Sequence, residues 1–274
     1  FLTQVEATDY QTSVVASCDF PFSYLYHNTE VTLEWEVWTP DVGIGERGWI
    51  YKSRHDWVNV STVRVLAGQM NARCDGGAMY LDAAKSAVIT TAGAGGLDTG
   101  SEAASTWYSV WVIRQRGTAN HAVLLSTSQN SPVVPSPYDM RRLVGWVYNT
   151  SGSNFRRFSS VGNGSFRQVS YDTPHTNMQA LTAGTATTAT TILLTDFVPP
   201  TGSVSVTILV TTNAVSGVDI RWKNSQATYA RIPALSTQVV KILLPGGSGD
   251  DIEYQNLVAA GSTDVYVLGY EAEL

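Results

Sequence analysis

Charge is what this chain has least of. Asp, Glu, Lys and Arg make up only 15% of its 274 residues, against about 25% in an ordinary soluble domain. The balance is acidic, with 17 Lys and Arg against 23 Asp and Glu for a net charge of −6. No basic run exceeds the pairs Arg141-Arg142 and Arg156-Arg157. A nucleic-acid-binding surface needs a field of Lys and Arg to displace counterions, so nucleic acid is not an expected partner. Cysteine is nearly absent. Cys18 and Cys74 are too few for a disulfide framework and lack metal-site spacing. They are compatible with one bridge or with two buried thiols. No apolar run approaches the roughly 20 residues that span a bilayer, so membrane insertion is not expected. The opening FLTQVEATDY has neither the basic nor the apolar region of a signal peptide.

Catalytic signatures are missing as well. The sequence has no HExxH, no G-x-S-x-G elbow, no Walker loop and no dinucleotide fingerprint. Gly93-Ala94-Gly95-Gly96 lies between β-type segments and reads as a turn, not a phosphate cradle. His27, His55, His121 and His175 form no ligand cluster and are expected at the surface or in turns. No metal and no cofactor is expected. Two acidic groups remain. Glu34 and Glu36, two apart on one strand face, fit the carboxylate spacing of a glycosidase but read more simply as a solvated face. Asp250, Asp251 and Glu253 read as a polar loop, with calcium binding a lesser alternative. The sequons at Asn59, Asn149 and Asn163 are expected by chance in a chain this rich in Asn, Ser and Thr.

What fills the space left by charge is Thr, Ser, Val and 23 glycines, the composition of many short strands joined by turns. Period-2 alternation supports this reading. Residues 31–38 place Val31, Leu33, Trp35 and Val37 on one face; residues 203–210 place Val204, Val206, Ile208 and Val210 on one face. Residues 107–113 are apolar on both faces and predict a central strand. Residues 265–270 predict a terminal strand. Trp35, Trp107 and Trp111 are expected in the core. Asn163-Gly164 suits a tight hairpin. Only 80–85 suggests a helix. The expected fold is all-β: two β-sandwich or jelly-roll-like modules, over 1–172 and 192–274. Residues 173–191 are a linker or an edge strand between them.

Aromatics are abundant, with 8 Trp and 13 Tyr. Trp49, Tyr51 and Trp57 interleave with Arg54 in GERGWIYKSRHDWVNV, and Trp38 falls on the polar face of its strand. Aromatic faces beside polar groups suit sugar rings, and they suit subunit interfaces equally well. These five residues are the candidate ligand-binding set.

Residues 95–148 carry an ordered series of pieces: Gly95-Gly96-Leu97-Asp98, then Trp107-Tyr108-Ser109-Val110-Trp111, then Leu125-Ser126-Thr127-Ser128, then Pro132 to Pro137-Tyr138, and Arg141-Arg142. This series resembles a β-module of bacteriophage fibre and spike proteins, well over about a quarter of the chain and loosely over most of 60–170. The resemblance implies a non-enzymatic virion surface component that attaches to the host cell. It implies a cell-surface polysaccharide or receptor, and other virion structural proteins, as partners. It also implies a homo-oligomer, commonly a trimer, whose repeated copies turn weak contacts into avidity. Tyr138, Arg141 and Arg142 are expected to pin the proline-rich loop by pairing with carboxylates or carbonyls. Rival readings are a capsid decoration protein, a glycan depolymerase and a secreted lectin-like module.

Overall fold

The period-2 pattern becomes strand almost throughout the computed structural model. It describes residues 22–26, 29–33, 50–51, 54–66, 68–71, 78–81, 83–163, 166–171, 175–225, 228–244 and 251–274. In chain order the strands are β1 (Phe22–Tyr26), β2 (Thr29–Leu33), β3 (Ile50–Tyr51), β4 (His55–Asn59), β5 (Thr62–Val65), β6 (Gly68–Asn71) and β7 (Ala78–Leu81). Next come β8 (Lys85–Val88), β9 (Thr106–Arg114), β10 (His121–Ser126), β11 (Met140–Asn149), β12 (Phe158–Asn163), β13 (Phe166–Tyr171) and β14 (Gln179–Gly184). The last are β15 (Thr190–Ile192), β16 (Ser203–Thr212), β17 (Val218–Trp222), β18 (Ala230–Ile232), β19 (Ser236–Leu243), β20 (Ile252–Asn256) and β21 (Thr263–Glu273). A single 3-10 turn, His175–Met178, is the one helical piece among the described residues. The protein is all-β.

The largest sheet runs β19-β16-β21-β13-β12-β4-β5-β8. Its centre is β21, the predicted terminal strand. One edge of β21 pairs along its length with β16. The other edge is shared: β13 takes Gly269–Glu273 and β14 takes the stretch from Thr263 to Tyr266. The two expected modules therefore share one sheet, and residues 173–191 contribute β14 to it. Beside it lie a three-stranded sheet, β10-β9-β11, and a four-stranded sheet, β15-β20-β17-β18.

β9 is central in its sheet, as its two apolar faces predict. The alternation sorts those faces cleanly. Tyr108, Val110 and Val112 join the main core, while Trp111 and Ile113 join a second, smaller cluster with Leu124. Trp107 is half-buried against the main core. On β16, Val206, Ile208 and Val210 are fully buried as predicted. Val204 is only half-buried, because it is the extra residue where the register with β21 shifts between Ser203 and Ser205. The hairpin predicted at Asn163-Gly164 is formed by β12 and β13, with Asn163 opposite Phe166.

Two expectations are corrected. The described residues of 80–85 are not helical: Tyr80 and Leu81 end β7 and Lys85 begins β8. Pairing of β5 with β8 and of β6 with β7 outweighs that weak local preference. Nor are all the histidines superficial. His55 and His121 are buried, each with a hydrogen-bond partner for its ring. The strand predicted over 31–38 is seen as far as Leu33 in β2; Trp35, Glu34 and Glu36 lie outside the described residues, as do Cys18, Cys74 and His27.

Candidate functional site

The pieces of the 95–148 pattern interlock. The Gly95–Asp98 loop lies along β10: Gly95 N–H donates to Val123 O (2.9 Å), Leu125 N–H to Gly96 O (2.7 Å) and Asp98 N–H to Leu125 O (2.8 Å). Gly96 is demanded by this approach, since a β-carbon there would stand 1.9 Å from Thr91 O. Asp98 then reaches two ways, accepting from Thr99 N–H (2.7 Å) and from Val133 N–H in the proline-rich loop (2.9 Å). Ser109 on β9 has its Oγ 3.0 Å from Ser126 O and 2.7 Å from Ser128 O, and it accepts the indole N–H of Trp111 (2.7 Å). A single buried hydroxyl thus ties two of the pattern's pieces together.

Arg141 and Tyr138 lie against the proline-rich loop. Arg141 donates to Pro132 O (3.4 Å), a carbonyl partner. Tyr138 closes a turn through its own N–H to Pro135 O (3.0 Å), and its hydroxyl meets Asn120 Oδ1 (3.4 Å). Asp139 between them accepts from Arg116 N–H (2.8 Å) and faces the Arg116 guanidinium. Arg142 turns inward and is 4% exposed.

Of the aromatic set drawn from the sequence, Trp57 and Arg54 have described side chains. Trp38 and Trp49 lie outside the described residues. Tyr51 sits on β3, opposite Gln69 of β6, in a different sheet from Trp57 on β4. Trp57 is half-buried, and the Arg157 guanidinium lies 5.2 Å from its ring centroid. One face of that indole is therefore taken by the chain itself. Arg54 is exposed, just ahead of β4. Asp251 and Glu253 are buried and structural: Asp251 accepts from Leu194 N–H (3.0 Å) and pairs with Lys223 (2.9 Å), while Glu253 accepts from Asn224 N–H (3.1 Å). Asp250 lies outside the described residues. Among the described residues no three His, Cys, Asp or Glu converge as metal ligands. The Asn149 sequon is closed off, its side chain buried and bonded to Glu102 and Ala103 O.

One pair resembles a base and a nucleophile. His55 Nδ1 lies 2.6 Å from Ser160 Oγ, and His55 Nε2 lies 3.4 Å from Trp146 O. Burial, reinforced by the nearby charge of Arg167, holds the imidazole well below its ordinary range and so neutral. Both side chains are sealed from solvent, and Ser160 Oγ also bridges His55 O (2.6 Å). The pair fastens β4 to β12; a nucleophile must reach its substrate, and this one has no approach.

A second cluster was not legible in the sequence. The Arg156 guanidinium lies 4.5 Å from the Phe197 ring centroid, 4.9 Å from Tyr148 and 5.7 Å from Tyr171. It also donates to Asp196 O, and Tyr171 OH donates to Phe197 O. Trp107 donates its indole N–H to Thr195 O (2.7 Å) and packs against Tyr148 and Tyr270. The box is filled by the protein's own arginine, and it locks the 193–198 turn onto β9, β11 and β13.

A cleft lies elsewhere among the described residues. Of about 460 Å³, it is lined by Trp111 of β9, by Arg142, Leu143 and Trp146 of β11, by Gln129 and Asn130, by Thr201 and Gly202, and by Glu273 and Leu274 at the end of β21. Gln129 accepts the indole N–H of Trp146, which fixes its amide plane. Gly202 has φ +76°, and a β-carbon there would meet Glu273 O at 2.4 Å. Of these residues only Arg142 belonged to the sequence-based set. The others come from two strands, two loops and a strand end far apart in the chain, and single polar residues carry no periodic signal. No protein-family model matches the chain, and no curated protein matches it.

Proposed function

We propose that this chain is a virion surface fibre or spike protein that attaches the particle to its host cell by binding a surface glycan, without catalysis. The observation that carries the reading is the interlocking of residues 95–148. The fibre-like pattern is held together by its own side chains, with Asp98, Ser109 and Arg141 each spent on the neighbouring piece. Such residues make a rigid carrier of loops, which is what an adhesin needs. The buried state of the one His-Ser pair supports a binding role over a hydrolytic one.

Subunit association belongs to the same proposal. Among the described residues β19 pairs with β16 alone and stands at the sheet edge, with Val239 61% and Leu243 56% exposed. An apolar edge strand is a liability in a monomer and an asset in an assembly. Homo-oligomerisation, with a trimer favoured by the resemblance, would also supply the avidity that weak sugar contacts require.

The test is binding of fluorescently labelled protein, with its oligomeric state verified, to candidate host cells before and after periodate oxidation of their glycans. Binding that periodate abolishes supports the reading. Absence of binding to every permissive host favours a capsid decoration protein that stabilises the shell. Release of reducing sugar from host polysaccharide would instead make the protein a depolymerase.

A further inference from the structure

Resting on the subunit association proposed above, we infer that β19 joins two copies of this chain, edge to edge and antiparallel, about a two-fold axis at Gln238. The direction of its backbone carries the inference. Leu244 N–H donates to Val204 O (2.8 Å) and continues the unshifted register of β19 on β16. Alternate residues of an antiparallel strand bond to the same neighbour. Ile242, Val240 and Gln238 therefore bond to β16, while Leu243, Lys241, Val239 and Thr237 direct their N–H and C=O groups outward. The far end of that outer edge is closed. Trp222 donates its indole N–H to Leu243 O and Tyr229 its hydroxyl to Lys241 O (3.0 Å), with the two rings 5.5 Å apart. Among the described residues the outward backbone groups of Thr237 and Val239 have no such cover, and both residues are exposed. From Ser236 to Val240 the strand has no charge, no proline and no bulge, the usual means of protecting an edge.

The open stretch is complementary to itself. With Gln238 opposite Gln238 of the second copy, Thr237 of each copy faces Val239 of the other, and each such pair exchanges two N–H···O bonds. Four hydrogen bonds then use every outward backbone group of Thr237 and Val239. The side chains agree. Thr237 and Val239, both β-branched, meet on one face, and the two Gln238 carboxamides, each donor and acceptor, meet on the other. Charge agrees as well. Lys241, paired with Glu271 (2.7 Å), falls opposite Leu235 of the second copy. The two Lys241 ammonium groups then stand about 20 Å apart, beyond the Debye length of roughly 10 Å. At about one hydrogen bond per 100–200 Å² the contact covers about 400–800 Å², short of the roughly 1,200–2,000 Å² of a standard interface. The dimer is therefore weak, with a Kd on the order of 100 µM. It gains its effect where copies stand side by side at millimolar effective concentration. An isologous contact closes at two copies, so it adds to, and does not build, the trimer that the resemblance implies.

The experiment uses the full chain. Gln238→Cys reports the register, because the Cα atoms of a non-hydrogen-bonded antiparallel pair lie about 4.5 Å apart, inside the roughly 4.4–6.8 Å range of a disulfide. Mild oxidation at a protein concentration on the order of 300 µM, above the expected Kd, is expected to give a covalent dimer whose peptide map shows a 238–238 link. Ser236→Cys is the control. Its two copies stand about 13 Å apart in the same register, and no 236–236 link is expected. Val239→Pro removes an outward N–H and keeps every bond to β16. It is expected to weaken the association seen by sedimentation equilibrium about tenfold or more, with the circular dichroism spectrum unchanged. Should Val239→Pro fail to fold, the two cysteine variants decide alone. No 238–238 link, an equal link at 236, or undiminished association of folded Val239→Pro overturns the inference. The cell assay separates the two ideas. Periodate-sensitive attachment by a chain that gives no 238–238 link removes this contact and leaves the attachment reading standing; a 238–238 link without attachment to any permissive host removes the attachment reading alone.

Discussion

The ring of His55 occupies the space that a side chain at Gly145 would need. A β-carbon on Gly145 would stand 2.3 Å from His55 Cε1 and 2.6 Å from Nε2. Gly145 has φ +150° and follows the extra residue, Val144, where the register of β11 against β9 shifts. The bulge and the missing side chain together let β4 close over β11 with an aromatic ring between them. Gly145→Ala is therefore expected to lower unfolding stability by about 2 kcal/mol or more, through overpacking against a fixed ring and an unfavourable φ. Urea denaturation measures this directly. A midpoint within error of the wild type would show that the ring moves aside at little cost.

The same burial makes His55 a source of pH-dependent stability. Its folded-state pKa is depressed well below the ordinary imidazole range, with desolvation the larger cause and Arg167 the smaller. The folded protein keeps the ring neutral, whereas the unfolded chain takes up a proton near 6.5. The contribution is thus complete above the unfolded pKa and is lost as pH falls from there toward the folded value, by up to about 1.4 kcal/mol per pH unit. Imidazole 15N shifts are the cleanest measurement. His55 is expected to titrate below the range of a free imidazole, and a titration centred near the free value would contradict the burial argument.

Composition and alternation carried the fold class because strand periodicity is a local property. β9, β16 and β21 fall where the apolar patterns of 107–113, 203–210 and 265–270 placed them. What failed was non-local. Nothing in the sequence indicates that β21 would be shared between β13 and β14, so the sequence left 173–191 open between a linker and an edge strand, and part of it forms β14 on β21. His55 escaped for a similar reason: its buried environment is made by Ser160, Phe158 and Gly145, all about a hundred residues away. The loop-pinning role of Arg141 was legible because the loop and its anchor are neighbours in sequence. The cleft was not, because Gln129, Thr201 and Glu273 meet only after folding.

Ser109 tests whether the fibre-like pattern is one structural unit. Ser109→Ala removes the donor to Ser126 O and Ser128 O and leaves the buried indole N–H of Trp111 without its acceptor. An orphaned buried donor costs about 1–3 kcal/mol. Asp98→Ala should behave differently, since Asp98 acts at an exposed position on the proline-rich loop. It is expected to leave global stability within about 1 kcal/mol and to accelerate amide exchange at Val133 and Thr99. Equal exchange rates in the variant would mean that the loop is held without the carboxylate.

The Arg156 box predicts an alkaline limit to stability and names its origin. Tyr148 is pushed up to about 12 by desolvation first and by its bond to Asp196 second. Tyr171 and Tyr270 are raised as well, chiefly by burial, although the positive charges of Arg156 and Arg167 act against this. All three phenols are neutral in the folded protein at pH values where the unfolded chain, with tyrosines near 10, begins to ionise. Their stabilising contribution is full below pH about 10 and is lost as pH rises above it through the folded values. Absorbance near the phenolate band should therefore show these three tyrosines ionising only along with loss of tertiary circular dichroism. Arg156→Leu removes a cation from three rings, each contact worth about 0.5–1 kcal/mol, and frees the 193–198 turn. It is expected to lower stability by about 1–3 kcal/mol, with Arg156→Lys intermediate. Hydrogen exchange that quickens at Phe197 and Val198 in Arg156→Leu would locate the effect in the turn; a loss of stability with those amides unchanged would place it in the sheet.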